Sequence, residues 1–492
     1  MKKLFVLLTA LFLIAAAPLY SEGVEVREIV VSPSRILTGE EINTVIAQCS
    51  GRFSGIELLE AVVAELNDLY FEKGYPNAIA FVPEQSVENG IVLIELREGT
   101  VGEIKVEGNI FTTENYILRY LKLEKGEILN LGNLEKNLVS FNRWNSGITA
   151  SSVLEPGTQA GTTDITINTE EKIPLKAFLT FDNYASRALE KVRYGVHALS
   201  YNLTPLRESL SAGVYLSKHI LTPYADFSIG LGTRLRLGTR FSYGSTKAEA
   251  IKEASIDFGS KSLSNGLYGS FVLVRNDRAN MSFNTSFDYS RSESELLDVT
   301  PLTTNILYSA RAGFSFTFVA DRFVFSTSHN AAGSKEETDD AIYFKFDGSA
   351  FLSYAFNELI YGVLNSTYQV MPFDLYIPEG DKMYIGGAST VRGYSEGNTA
   401  WGKSGYTLSS ELRFLFPRNR NTYFFLFLDH GGIFPYPDTG ENYLLSFGGG
   451  LVLTKGSWLS VNFAAGMNAV PITQDIDHPA VRCHIAATIS TP

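Results

Sequence analysis

The 492-residue chain is short of charge and nearly free of cysteine. Asp, Glu, Lys and Arg supply 19% of it, below the roughly 25% usual in soluble domains. Its two cysteines, Cys49 and Cys483, lie far apart without companions, which excludes a disulfide framework and a thiolate metal site. The six histidines lack HExxH-like spacing, so nothing supports a metal centre or any cofactor. A formal net charge of −12 argues against a partner that is nucleic acid. Beyond the first twenty or so residues no apolar run reaches the roughly 18 residues of a membrane helix. What is abundant is Gly (42), Phe (33) and Tyr (25). A Gly- and aromatic-rich chain without helical spans is either a soluble β protein or a transmembrane barrel.

Met1-Lys2-Lys3 followed by apolar Leu4 to Ala17 reads as a secretory signal peptide, residues 1–21, cleaved between Ala17 and Glu22. The mature protein is then expected in an exported compartment, away from cytoplasmic ATP.

Two similar α+β units follow. Residues 25–31 alternate like a half-buried strand, and Thr38-x-x-Glu41 has capping-box spacing ahead of a short helix. Ile56, Leu59, Val62, Val63, Leu66 and Leu69 recur at helical spacing up to Lys73-Gly74. Residues 78–82 and 91–97 read as strands. The order restarts with a strand at 101–106, helices around 114–121 and 131–143, and strands around 148–154 and 163–170.

From about residue 172 helical periodicity ends and alternation takes over. Leu235, Leu237, Thr239, Phe241 and Tyr243 oppose Arg236, Gly238, Arg240 and Ser242. Met281, Phe283, Phe287 and Tyr289 oppose Ser282, Asn284, Asp288 and Ser290, and Leu408, Leu412, Phe414 and Phe416 oppose Ser409, Glu411 and Arg413. About 16 such segments, expected at 9–11 residues each and too many for one sandwich, fit an even-numbered membrane barrel with an apolar outer face. Arg236, Arg240, Glu411 and Arg413 are then lumen-facing candidates.

Certain motifs are more specific. Phe71-Glu-Lys-Gly74-Tyr75-Pro-Asn-Ala78, then Pro83-x-Gln85 and Glu98-Gly99, precede Pro156-Gly157 and Asp164, and Asp182-Asn183 stands where the barrel should open. Val391-Arg392-Gly393-Tyr394 and Phe427-x-Asp429-x-Gly431 come later, in that order. The chain resembles the transporter component of two-partner secretion, in the superfamily that also holds BamA-like outer-membrane insertases. That resemblance implies a mixed fold: two tandem α+β POTRA modules (24–99 and 100–171) followed by a 16-stranded antiparallel transmembrane β-barrel (172–492). It also implies the outer membrane of a diderm bacterium, with the POTRA modules in the periplasm and outer-membrane lipid around the barrel. The implied activity is export of an unfolded exoprotein; the alternatives are an insertase for other barrels and a passive porin. The implied partners are a large β-helical exoprotein (adhesin or cytolysin), periplasmic chaperones and the barrel-assembly machinery.

The motif residues have a physical reading of their own. A loop of about 33 residues, 372–405, is too long for a hairpin and must fold into the lumen or hang in solvent. Phe427, Asp429 and Gly431 share the inward parity, so Arg392 on an inserted loop can form a forked pair with Asp429. The same loop holds two misleading matches. Residues 397–404 fit a P-loop expression and residues 393–397 a nucleophile elbow around Ser395, but both need a helix where a strand is expected. The reading is of a non-enzyme. Few residues separate the expected cleavage site from the first strand, so no N-terminal plug helix is expected, and the C-terminus lacks the usual final aromatic.

Overall fold

The computed structural model describes residues 26–491, except 160, 186–191, 203, 205–206, 252–255, 297–299, 374, 397–398, 435–442 and 471–479. The expected signal peptide lies outside the described residues. The chain divides into two compact units. One runs to Glu107 and adds Leu121–Leu138 and Ser151–Asn168; the other takes Gly108–Tyr120, Val139–Ala150 and everything from Thr169.

The first module contains β1 (Glu28–Val31), α1 (Gly39–Ser50), α2 (Gly55–Glu72), β2 (Ile79–Phe81) and β3 (Ile91–Arg97). Its sheet has the order β1-β3-β2, with β1 parallel and β2 antiparallel to β3. Thr38 caps α1 as its spacing predicts: the Glu41 amide donates to Thr38 Oγ1, and the Thr38 amide donates to the Glu41 carboxylate. Along α2 the stripe Leu58, Val62, Leu66 and Tyr70 packs on Ala80, Ile94 and Leu96, the inward residues of the sheet. A second module repeats the order with β4 (Thr100–Glu107), α3 (Glu114–Leu121), α4 (Leu131–Trp144), β5 (Ile148–Pro156) and β6 (Thr162–Glu171). Its sheet runs β4-β6-β5, so in both modules the last strand is central and the first two are edges.

Sixteen antiparallel strands then close a barrel. The first six are β7 (Leu175–Asp182), β8 (Arg193–Tyr201), β9 (Ser209–Leu216), β10 (Ile220–Leu231), β11 (Leu235–Ile251) and β12 (Ile256–Arg275). Then come β13 (Ala279–Leu296), β14 (Thr300–Val319), β15 (Phe323–Glu336), β16 (Ala341–Ala355) and β17 (Ile360–Val370). Two short strands inside the long loop, β18 (Met383–Ile385) and β19 (Ala400–Gly402), form a separate two-stranded sheet. The barrel resumes with β20 (Ser404–Phe416), β21 (Asn419–Phe434), β22 (Tyr443–Lys455), β23 (Leu459–Asn468) and β24 (Val481–Ser490), which pairs with β7.

Two features differ from expectation. Strands reach 20 residues at β12 and β14, twice the expected length. Crossing the membrane needs only about ten residues, and the backbone ladder simply continues beyond it through polar stretches such as Ser290–Glu295. Asp182-Asn183 ends the first barrel strand instead of opening it.

Candidate functional site

Strand alternation sets the wall. On β21 Leu426 and Leu428 are 55% and 50% exposed on the outer face, while Phe425, Phe427 and Asp429 are buried on the inner one. Pairing with β20 puts Ser409 opposite Asp429 and Glu411 opposite Phe427. The loop joining β17 to β20 brings Arg392 to this wall.

The Arg392 guanidinium forks onto Asp429, Nε to Oδ2 at 2.7 Å and Nη2 to Oδ1 at 2.8 Å, and the Arg392 amide adds a third bond to Oδ2 at 3.0 Å. Its remaining nitrogen, Nη1, donates to Glu411 Oε1 at 2.6 Å, and Nη2 also reaches Ser409 Oγ at 2.9 Å. Ser409 in turn donates to Asp429 Oδ1 at 2.7 Å, and Arg413 donates twice to Glu411 Oε2. The cluster therefore balances two cations against two carboxylates. The guanidinium plane lies 3.7 Å above the Phe427 ring, a cation–π contact. Asp429 has no exposed surface, so its charge depends on these donors, and an unpaired carboxylate there would cost several kcal/mol.

The neighbouring motif residues fit the same wall. Val391 joins a buried apolar cluster with Ile385, Tyr394, Ala400, Ile433 and Leu444. A side chain at Gly431 would meet Val391 and Ile385 at 3.1 and 3.2 Å, so glycine leaves the space they fill. Gly393 lies against Ser446 and the β23 backbone, where a Cβ would come within 2.8–2.9 Å. The Tyr394 hydroxyl donates to the carbonyl of Val470 (2.8 Å) or Leu445 (3.0 Å) and accepts from their amides. Gly386 and Gly387 have φ of 116° and 104°, which lets the loop turn before the tip.

Sequence reasoning missed several participants. Ser409 bridges Arg392 and Asp429, and Arg482 Nη1 donates to Ser395 Oγ at 2.9 Å. Gly466 lets the Arg392 carbonyl approach, since a Cβ there would sit 2.2 Å from that oxygen. A serine or glycine on a wall strand gives no sequence signal; only the register reveals its partner.

The other expected residues sit apart from the loop cluster. Arg240 forks onto Asp288 at 2.6–2.9 Å, and Arg236 donates to Ser228 at 2.9 Å. Of the four lumen candidates only Glu411 and Arg413 join Arg392. In the first module Gly74 takes φ 86° beyond α2, the Tyr75 amide bonds Tyr70, and the Gln85 carboxamide exchanges two 2.8 Å bonds with the Leu93 backbone while contacting the Pro83 carbonyl. In the second, Pro156 ends β5, the Gly157 amide bonds the Thr162 carbonyl, and Asp164 accepts from the Glu103 amide at 2.7 Å. Gly397 and Asn398 lie outside the described residues, and Ser404 begins barrel strand β20 where a P-loop would need a helix.

Residues 24–99 match the POTRA domain, ShlB-type, and residues 161–453 match the haemolysin secretion/activation protein family ShlB/FhaC/HecB. The outer membrane transporter CdiB of Dickeya dadantii is 23% identical over 480 residues, covering 89% of this chain and 82% of the relative. The heme/hemopexin transporter protein HuxB of Haemophilus influenzae is 21% identical, covering 77% and 70%. The solved structure of CdiB from Escherichia coli superposes with a TM-score of 0.75 at 20% identity, covering 97% of this chain and 93% of that one. The chain belongs to the haemolysin secretion/activation family and is an outer-membrane transporter of two-partner secretion, a 16-stranded pore whose POTRA region faces the periplasm and whose partner is an exported protein.

Proposed function

We propose that the exported partner is captured unfolded at an open edge of the POTRA sheets and threaded through the barrel without ATP, while the loop held by Arg392 obstructs the lumen. The observation that carries this reading is the forked pair between Arg392 and the fully buried Asp429. Edge strand β1 leaves one side open to an extended segment, whereas Asn67 already holds the Ala80 backbone on β2, Asn142 that of Ala150 on β5, and Gly126 and Glu127 that of Val101 on β4. The β2 edge is short, and Gln85 takes the place of a strand beside Leu93, so pairing on that side is confined.

Inside the pore the cargo meets Arg240 already paired with Asp288, and Arg236 already bonded to Ser228. Paired with its carboxylate, Arg240 releases a passing chain more readily than a bare cation would. Net movement then needs a sink, and folding of the cargo outside supplies it. A large β-helical adhesin or cytolysin suits that role, with periplasmic chaperones keeping it unfolded and the assembly machinery inserting the barrel itself. In this reading the pore performs no catalysis. The test is Arg392→Ala in planar bilayers and in secreting cells. We expect more frequent large openings and altered export; conductance and secretion both equal to wild type would refute the latch.

A further inference from the structure

The loop makes another buried attachment, eleven residues before Arg392. A single 3-10 turn, Glu379–Asp381, lies on its proximal arm. Asp381 Oδ2 accepts from the Tyr343 hydroxyl at 2.7 Å and lies 2.9 Å from Lys345 Nζ, both on β16. The backbone carbonyl of Asp381 accepts from Gln369 Nε2 on β17 at 3.0 Å, and the same nitrogen reaches the Lys403 carbonyl at 3.0 Å. One carboxamide thus straps the beginning and the end of the loop. The Lys345 side chain is 5% exposed and Tyr343 is fully buried, on the inner face opposite exposed Phe344 and Phe346.

We infer that Asp381 is a second anchor of the loop, a positioning residue that holds its proximal arm on β16 and β17 independently of the tip. The partners are disjoint: Arg392 binds Ser409, Glu411 and Asp429, whereas Asp381 binds Tyr343, Lys345 and Gln369. Without the Asp381 carboxylate, Lys345 keeps, among the described residues, only carbonyl partners, at 3.4 and 3.5 Å, for a buried ammonium. Such a site favours withdrawal of the arm so that water reaches the charge. Because the ion pair bridges loop and wall instead of two wall strands, its loss acts on the loop's position. Two anchors without shared partners contribute additively to holding the loop. Breaking either leaves it partly held, and breaking both releases it.

The functional consequence rests on the reading that this loop obstructs the pore, and the experiment separates the two. Asp381→Ala, Arg392→Ala and the double variant are made in the full chain with both native cysteines replaced by serine. Spin labels at Gly380→Cys, on the arm beside Asp381 where an added side chain meets open space, and at Ser457→Cys report the position of the arm, and bilayer recordings report opening. Expected is a broadened distance distribution in Asp381→Ala, with about tenfold more frequent large openings. The double variant should multiply the effects of the two single ones. Exchanging the charges, Asp381→Lys with Lys345→Asp, should restore the narrow distribution. A distribution as narrow as wild type in Asp381→Ala, or a double variant equal to Arg392→Ala alone, overturns the second anchor. Broadening without any change in opening leaves the anchor standing and overturns the obstruction reading.

Discussion

At the level of single residues the site is a matter of paired charge and of space left by missing side chains. The inward parity of Phe427, Asp429 and Gly431 is visible in the sequence because Phe424, Leu426 and Leu428 mark the other face. Gly466 is not visible: a glycine in a strand announces neither what approaches it nor from where. The contacts rank the two glycines. At Gly431 an added methyl meets the flexible ends of Val391 and Ile385 at 3.1–3.2 Å and the Tyr406 carbonyl of the wall at 3.3 Å, whereas at Gly466 it meets the Arg392 carbonyl oxygen of the loop at 2.2 Å and its carbon at 2.7 Å. Side-chain ends can shift by a few tenths of an ångström, but a backbone carbonyl moves only with its loop. Gly466→Ala is therefore expected to displace the loop tip at an overpacking cost of about 1–3 kcal/mol, and Gly431→Ala to leave it in place. Protease nicking of the loop on intact cells measures this, and equal nicking in the two variants would contradict the ranking.

Among secondary-structure elements, those with strong periodicity were legible. The stripe on α2 and the capping box on α1 announced both helices, because each pattern reflects a local requirement. The extended β11–β14 ladder was not legible. Beyond the membrane its residues are polar on both faces, as at Ser290–Glu295, and no alternation remains to mark a strand. Helix α1 also carries a pH dependence. The Lys73 ammonium, 2.7 Å from Glu41, holds that carboxyl at about 2, aided by the Thr38 amide. A folded-state value below the unfolded one means that the stabilisation is full above about 4.5 and fades as the pH falls toward 2. Wild type should accordingly lose protection at the start of α1 across that window, whereas Glu41→Gln should show a flatter profile. Hydrogen exchange of peptides spanning residues 36–50, corrected for intrinsic rates, reads the difference; parallel profiles would exclude Glu41 as the titrating group.

For the whole molecule, the low charge and abundant aromatics average a charged modular region with a barrel whose outer face is Leu, Phe, Tyr and Val. Strand number and parity could be counted along the chain because neighbours in sequence are neighbours in the sheet. Closure could not, since β7 and β24 lie about 300 residues apart in sequence and neither reveals the other's register. The structure makes this seam the shortest ladder in the barrel. It runs only from Ala486–Asp182 to Ser490–Phe178, against Ala279–Phe318 to Leu296–Thr300 between β13 and β14. Past Asp182 the pairing passes to Asn183, whose amide donates to the Ile485 carbonyl at 3.2 Å. Its carboxamide accepts from the Ile485 amide at 2.9 Å and donates to the Cys483 carbonyl at 3.0 Å. One asparagine side chain thus extends the ladder by imitating a strand. Asn183→Ala removes both carboxamide bonds, at a net cost of about 1 kcal/mol for each, and the loss falls where the ladder is already shortest. We expect amide exchange at Cys483–Ile485 to rise by roughly tenfold or more with β13 and β14 unchanged. Uniform acceleration around the barrel would instead mean that closure is cooperative and that the seam has no separate stability.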